Sequence, residues 1–499
     1  MKKYIIILLI AMIGFSCNSL LDTDPSDQYT SDTYWADEGE YDAALTGCYN
    51  SLYNASAFFN GETEMITPNS YAYNETNGTD AIVSGNALTT TGLFSLFWNG
   101  AYGGIGRANT LLDKIPDATF DESDINTMKG QALFIRALYY SYLVDYFGDV
   151  PLILSTPDES QGSLSRTPKE EVITQIVSDL DTAADLLPES YTSSADVGRV
   201  TKGAALALKA RILLYDEQWA EAAKAAKDVI DLETYELYPD YRGMYMPDNE
   251  NNVEVIFDIQ YSSPDHMSSM DHVAYILNRP APLKDLLDAY LMTDGKSIDD
   301  SPLYDPENPY ENRDPRLHQT IACVGYYFNG KIVTPNTFIN TGFGQKKYTI
   351  YPDDETLENV SQGNSYLNFI VIRYAEVLLT YAEALNESED TPSSEVYSAL
   401  NELRERPTVS MPDIEQGLSK DEMREVIRLE RRVELACEGH YYSDIRRWKT
   451  AEVVNNGPIC DYKGDTISYR SFNPERDYLW AIPQSEIDLN KNLEQNPGW

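Results

Sequence analysis

Histidine is scarce in this chain, and basic residues are outnumbered two to one. Its 499 residues include four histidines, 38 lysines and arginines, and 80 aspartates and glutamates, for a formal charge of −42. That excess of negative charge repels phosphate backbones and excludes a nucleic-acid partner. His266, His272, His318 and His440 lie apart and form no HExxH pair, and there is no G-x-S-x-G nucleophile elbow. Cysteine is sparse too. Cys48, Cys323, Cys437 and Cys460 have no metal-ligand spacing, which leaves one or two disulfides open in an oxidising compartment. Outside the first residues there is no run of about 18 apolar residues, so no later segment reads as a membrane span. "GGIGRAN" (Gly103 to Asn109) lacks the third glycine of a dinucleotide loop and follows no strand signal. "DNENNV", from Asp248, starts like a calcium loop but lacks its turn glycine. The sequence therefore predicts no catalytic residue, no metal and no cofactor. Only a pair of carboxylates, as in a glycan hydrolase, could hide among so many acids.

Apolar residues are concentrated at the start. Lys2 and Lys3 precede "YIIILLIAMIGF", which ends at Ser16 and Cys17. Two lysines, a short apolar core and small residues before a cut are the pattern of a secretory signal. The core is shorter than the roughly 20 residues a spanning helix needs. A cysteine directly after the small residue is similar to the bacterial lipoprotein signal, in which cleavage leaves that cysteine N-terminal and lipidated. Residues 1–16 are thus predicted to be the leader, Cys17 the lipid attachment and 17–34 a polar tether. Removing Lys2 and Lys3 would take the net charge to −44. A chain so acidic avoids an anionic membrane surface, so holding it there calls for a covalent anchor.

The remainder, 35–499, reads as one mainly α-helical fold. Tyr41, Ala44, Leu45, Cys48, Tyr49 and Leu52 recur at three- and four-residue steps, as do Ile125, Met128, Ile135, Leu138, Tyr139, Tyr142, Leu143 and Tyr146. The second of these helices should stop at "FGDVP". "RTPKEEV" predicts another start, with Thr167 as cap and Glu170 completing a capping box. Ser419 and Glu422 predict a second box, opening a helix whose arginines (Arg428 to Arg432) alternate with Glu425, Glu430 and Glu434 and are expected to pair along it. "GAALALKARILLYDEQWAEAAKAAKDVIDL" and "IRYAEVLLTYAEALNESEDTPSSEVYSALNELRER" have the texture of tetratricopeptide helix pairs, with alanines where helices approach closely. Two stretches break the pattern, at about 60–92 and 239–364. They are rich in Asn, Tyr, Thr, Gly and Pro, and long irregular stretches in a compact protein are usually functional.

Read in order, these motifs resemble the SusD/RagB family of outer-membrane nutrient-binding lipoproteins. The resemblance is carried by "LLDTDP" and "YWADEGEYDAALTGCYNSLY", then "WNGAYGGIGRANTLLDKIP", "GQALFIRALYYSYLVDYFGDVPLI" and "RVTKGAALALKARILLY". Further on come "LLDAYLMTDGKSI", "NRDPRL", "REVIRLERRVELACEGHYYSDIRRW" and "YLWAIPQSEIDLNKNLEQNPGW". It implies a right-handed superhelix of tetratricopeptide-type pairs, tethered outside the cell. It also implies a role as a lid on a SusC-like TonB-dependent transporter, capturing oligosaccharides for import. The ligand site would lie in the two irregular insertions.

Sugars are held by aromatic faces and by amides, carboxylates and arginines facing their hydroxyls. All six tryptophans (Trp35, Trp98, Trp219, Trp448, Trp480 and Trp499) fall in framework motifs and are expected in the core, which leaves stacking to tyrosines. "MITPNSYAYNETNGTD" offers Tyr71 and Tyr73 with Asn69, Asn74, Asn77 and Asp80 around them. "YSSPDHMSSMDHVAY" offers a second wall of Asp265, His266, His272 and Tyr275. Two other readings stay open at this point: a tetratricopeptide scaffold lipoprotein that binds a protein partner, and a tethered glycan hydrolase.

Overall fold

The computed structural model describes residues 34–54, 61–71 and 77–499. The predicted leader, Cys17 and nearly all of the tether lie outside them. Ten helices of seven or more residues carry the described chain: α1 (Glu38–Asn54), α2 (Gly92–Lys114), α3 (Glu122–Phe147), α4 (Lys169–Leu186), α5 (Lys202–Tyr215), α6 (Trp219–Ile230), α7 (Tyr374–Ser388), α8 (Ser394–Arg404), α9 (Lys420–Glu434) and α10 (Tyr441–Arg447). From α2 to α6 each helix packs on the next in sequence. Helix α7, more than 140 residues further on, packs against α6 and then against α8 and α9. No helix of the described residues is long and apolar enough to cross a membrane.

The local reasons are those the sequence suggested. Tyr41, Leu45, Cys48 and Leu52 form the buried stripe of α1. Helix α3 ends at Phe147 because Gly148 takes a left-handed φ of 72°, which a side chain would resist. Ser419 and Glu422 form the predicted capping box of α9. The box expected at Thr167 does not form. Helix α4 begins at Lys169 after Pro168, with no side-chain cap, and the Thr167 backbone instead exchanges two hydrogen bonds with Val150. Alanines make the close approaches: Ala204, Ala207, Ala222, Ala225, Ala382 and Ala384 are all buried. Gly104 allows another, since a Cβ there would sit 1.9 Å from the Tyr139 ring. Trp98 and Trp480 are core residues, while Trp35, Trp219, Trp448 and Trp499 are half-buried and pack against the core.

The segment between α6 and α7 holds most of the irregular structure. Among the described residues the strands form five two-stranded antiparallel ladders: β1 (Ser70–Tyr71) with β3 (Ala281–Pro282), β2 (Val255–Ile259) with β8 (Phe369–Arg373), β4 (Ile321–Ala322) with β7 (Gly344–Gln345), β5 (Tyr327–Phe328) with β6 (Lys331–Ile332), and β9 (Gly457–Cys460) with β10 (Thr466–Arg470). The main apolar core extends from Tyr41 to Leu493, and three smaller clusters lie under this irregular segment.

Charge, not apolar surface alone, fastens the segment to the helices. Arg373 donates to Glu254 (2.8 Å), Glu434 (2.8 Å) and Glu438 (2.8 Å), and Arg406 to Glu254 and Glu434. Arg316 donates to Asp314, Glu430 and Glu434, Arg404 to Glu430, and Lys347 to Glu438. Five cations and five carboxylates thus meet in the interior, and all ten are buried. Such a cluster is tolerated only because every charge has opposite charge around it. The arginines of α9 were expected to pair along their own helix, and this is corrected by the structure. Of Arg428, Arg431 and Arg432, Arg428 alone does so, with Glu425 at 3.5 Å, whereas Arg431 reaches Asp444 and Arg432 reaches Asp285 and Asn69.

Candidate functional site

The two irregular stretches meet at a narrow cleft of about 80 Å³. One wall is Gly61, Glu62 and Met65. The other is Ser269, Met270, Val273, Ala274, Arg279 and Pro280. Gln345, Tyr348, Phe369 and Cys437 complete the lining.

Each wall is held from elsewhere in the fold. The first follows a short 3-10 turn, Glu64–Ile66, whose Glu64 carboxylate accepts from Asn69 Nδ2 at 2.8 Å and from the Cys437 amide at 3.1 Å. Arg470 on β10 donates to the carbonyls of Thr67 and Ser70. The second wall is a single π-helical turn, His272–Ile276, preceded by the buried Asp271. The Asp271 carboxylate accepts from the Ile350 amide and the Ser365 hydroxyl, which fixes the turn to two distant segments. The β1–β3 ladder joins the walls. Across the cleft, Arg279 Nη2 faces Glu62 Oε1 at 3.4 Å. Tyr348, at a φ of 57°, stacks on Phe369 with ring centres 4.9 Å apart.

Burial governs the ionisation here. It raises the Glu62 carboxyl against the opposing pull of Arg279, and it raises the Glu64 carboxyl and the Cys437 thiol. Among the described residues no group of three or more His, Cys, Asp or Glu side chains is placed to hold a metal. Cys48, Cys323, Cys437 and Cys460 are free thiols. His440 is half-buried beside Glu376 at 4.0 Å, and desolvation lowers it to about 4, where it stays neutral at ordinary pH. The cleft therefore offers carboxylate, guanidinium and amide groups set in apolar wall, an arrangement suited to holding a hydroxylated ligand.

The sequence pointed to both walls but to other side chains. Tyr71 is half-buried on β1, opposite Ala281, which adjoins the cleft-lining Pro280. Asn77 and Asp80 are exposed where the short helix Thr79–Val83 begins; Asn77 has a φ of 53°, and its carbonyl accepts from the Leu93 amide. Asn69 is fully buried, its amide held between Glu64 and Arg432. Asp265 and His266 are exposed, and the His266 ring stacks on Tyr53 at 5.1 Å. His272 meets the Val360 carbonyl at 3.4 Å. Tyr275 turns to Tyr351, Phe328 and Phe338, while its neighbour Ala274 faces the cleft. Tyr73, Asn74 and Cys17 lie outside the described residues. Glu62, Arg279, Gln345 and Tyr348 escaped sequence reasoning. The one local signal was an acidic residue beside an apolar pair in "GETEMI".

A helical scaffold carrying a ligand cleft in its irregular insertions defines a class of binding protein, and comparison with known proteins identifies the family. A model described as SusD family matches residues 253–499, and one described as starch-binding associating with outer membrane matches 21–214. A solved SusD-like carbohydrate-binding protein from Bacteroides fragilis is 30% identical, with a TM-score of 0.85 over 93% of this chain and 100% of that one. A SusD-like protein of Formosa agariphila is 29% identical over the full length of both chains. The starch-binding protein SusD of Bacteroides thetaiotaomicron is 24% identical over 77% of this chain and 75% of its own. The chain belongs to the SusD/RagB family.

Proposed function

We propose that this protein is a cell-surface glycan-binding lipoprotein. It captures oligosaccharide at the Glu62–Arg279 cleft and delivers it to a SusC-like TonB-dependent transporter in the outer membrane. The observation that carries the reading is the cleft itself, built where the two insertions meet, in a chain 30% identical to a carbohydrate-binding protein. Residues 1–16 act as the leader, lipidated Cys17 as the anchor, 17–34 as the tether and 35–499 as the binding fold. Tyr71, Asn77 and Asp80, with Asp265 and His266, contact longer ligands outside the cleft, and Tyr73 and Asn74 are further contacts of the same stretch of sequence. No turnover is part of this reading, because capture for import gains nothing from cleavage.

The test is a glycan array followed by calorimetry on any ligand found, with chromatography of the ligand afterwards. Binding of an oligosaccharide recovered intact supports the reading. Shortening of the ligand would make the protein a hydrolase, and an array without a hit would leave the protein-scaffold reading. Tyr71→Ala and Tyr73→Ala are each expected to weaken binding about five- to tenfold, the loss of one stacking contact.

A further inference from the structure

We propose that the cleft holds the acetamido group of an N-acetylated sugar, with the sugar ring outside at its mouth. The inference rests on the glycan-binding reading above and adds the chemical class of the sugar. Size comes first. A water molecule takes about 30 Å³ of the liquid, so a cleft of about 80 Å³ accepts two or three groups of that size. That is room for a substituent and too little for a pyranose ring. What enters must therefore project from the sugar, and the lining decides its chemistry.

Glu62 Oε2 and Gln345 Oε1 are acceptors in the lining without a hydrogen-bond partner, although the two residues are only 6% and 5% exposed. A buried acceptor left without a donor is a standing cost, which a ligand N–H can relieve. Donors stand in the same lining. The Ser269 hydroxyl accepts from the Gly363 amide at 3.0 Å and still carries its own proton, and the Arg279 guanidinium faces Glu62 at 3.4 Å. The rest of the lining is largely apolar, with Met65, Met270, Val273, Pro280 and Phe369. An acetamido group answers all three, with an N–H for the acceptors, a carbonyl for the donors and a methyl for the apolar wall. A hydroxyl would leave that wall uncovered, and a methyl ether or an acetyl ester brings no proton for Glu62 and Gln345.

The experiment is an array of the full chain in detergent against glucan, xylan, mannan and galactan oligosaccharides together with pairs that differ at one substituent. The pairs are chitin and cellulose oligosaccharides of equal length, N-acetylglucosamine and glucose, and N-acetylgalactosamine and galactose. The tightest ligand should be N-acetylated and should bind about tenfold or more tighter than its hydroxyl counterpart, for one methyl buried and one hydrogen bond gained. A tightest ligand without an acetamido group overturns this inference and leaves glycan binding standing, whereas no ligand at all overturns the glycan-binding reading and this inference with it. Gln345→Leu and Glu62→Gln should each cut the preference about fivefold while affinity for the hydroxyl counterpart holds, a ratio that a general loss of fold does not move. An unchanged ratio in both variants overturns the cleft as the place where the group is held. If neither variant folds, the N-hexanoyl counterpart decides. Too long for the cleft, it should bind about fivefold or more weaker than the N-acetyl parent, and equal binding overturns the inference.

Discussion

At the scale of single residues, the identity of a side chain and its role separated in instructive ways. Tryptophan placement was legible because large apolar surface must be buried wherever a framework packs. Trp480 is 1% exposed, stacks on Tyr146 at 4.4 Å and donates its indole N–H to the Tyr442 hydroxyl at 2.9 Å. Trp480→Ala should therefore cost about 3–5 kcal/mol, read as a large fall in melting temperature. A shift of a degree or two would mean that the ring is not part of the core. Polar residues were not legible in the same way. Asn69 sits in a tract of turn-forming residues that suggested a sugar contact, yet its amide is spent on Glu64 and Arg432. Nothing within a few residues of Asn69 reveals that Arg432, 363 positions away, is one of its partners.

At the scale of elements, helix periodicity and caps were read correctly where the controlling interactions are local, as in α1, α3 and the Ser419–Glu422 box of α9. The Thr167 box failed because its backbone found a partner in Val150 outside the helix. The expected pairing of Arg431 and Arg432 along α9 failed for the same reason, their partners lying on other segments. Those partnerships make a prediction. Glu434 accepts from Arg316, Arg373 and Arg406, so Glu434→Gln leaves three buried cations under-compensated. The expected loss is about 3–5 kcal/mol in denaturant titration, the cost of breaking a buried pair from one side. A variant as stable as wild type would show that the cluster contributes little.

The same elements set a pH dependence. Arginines hold Glu438 and Glu376 down to about 2, below the ordinary carboxylate value of about 4.3. Their contribution is full above that value and is lost as pH falls from about 4.3 towards 2. Burial raises Glu250 to about 7 and Asp258 to about 6, so their contribution is present at low pH and is lost as pH rises through that range. His440 opposes them, since its depressed value removes stability as pH falls from about 6.5 towards 4. With two groups against one, the melting temperature should climb modestly from pH 8 to about 5 and then fall steeply below about 4. A steady decline from pH 8 downward would contradict the assignment of Glu250 and Asp258.

At the scale of the whole molecule, a formal charge of −42 bears on where the protein can sit. Repelled by an anionic surface, the chain depends on its proposed lipid, so Cys17→Ala should move it from the membrane fraction to the soluble one or leave it unprocessed. Fatty-acid labelling that survives the substitution would rule out this attachment. The sequence by itself determined the mainly helical class, the helices α1 and α3, the stop of α3, and the family through its ordered motifs. Each of these rests on periodicity, composition or contiguous pattern, which are properties of neighbouring residues. Tertiary structure alone decided which side chains face the cleft. Glu62 meets Arg279 across 217 positions, and Gln345 and Cys437 arrive from two further segments. Only the folded chain brings them together, because burial and pairing across such separations depend on the packing of the whole core.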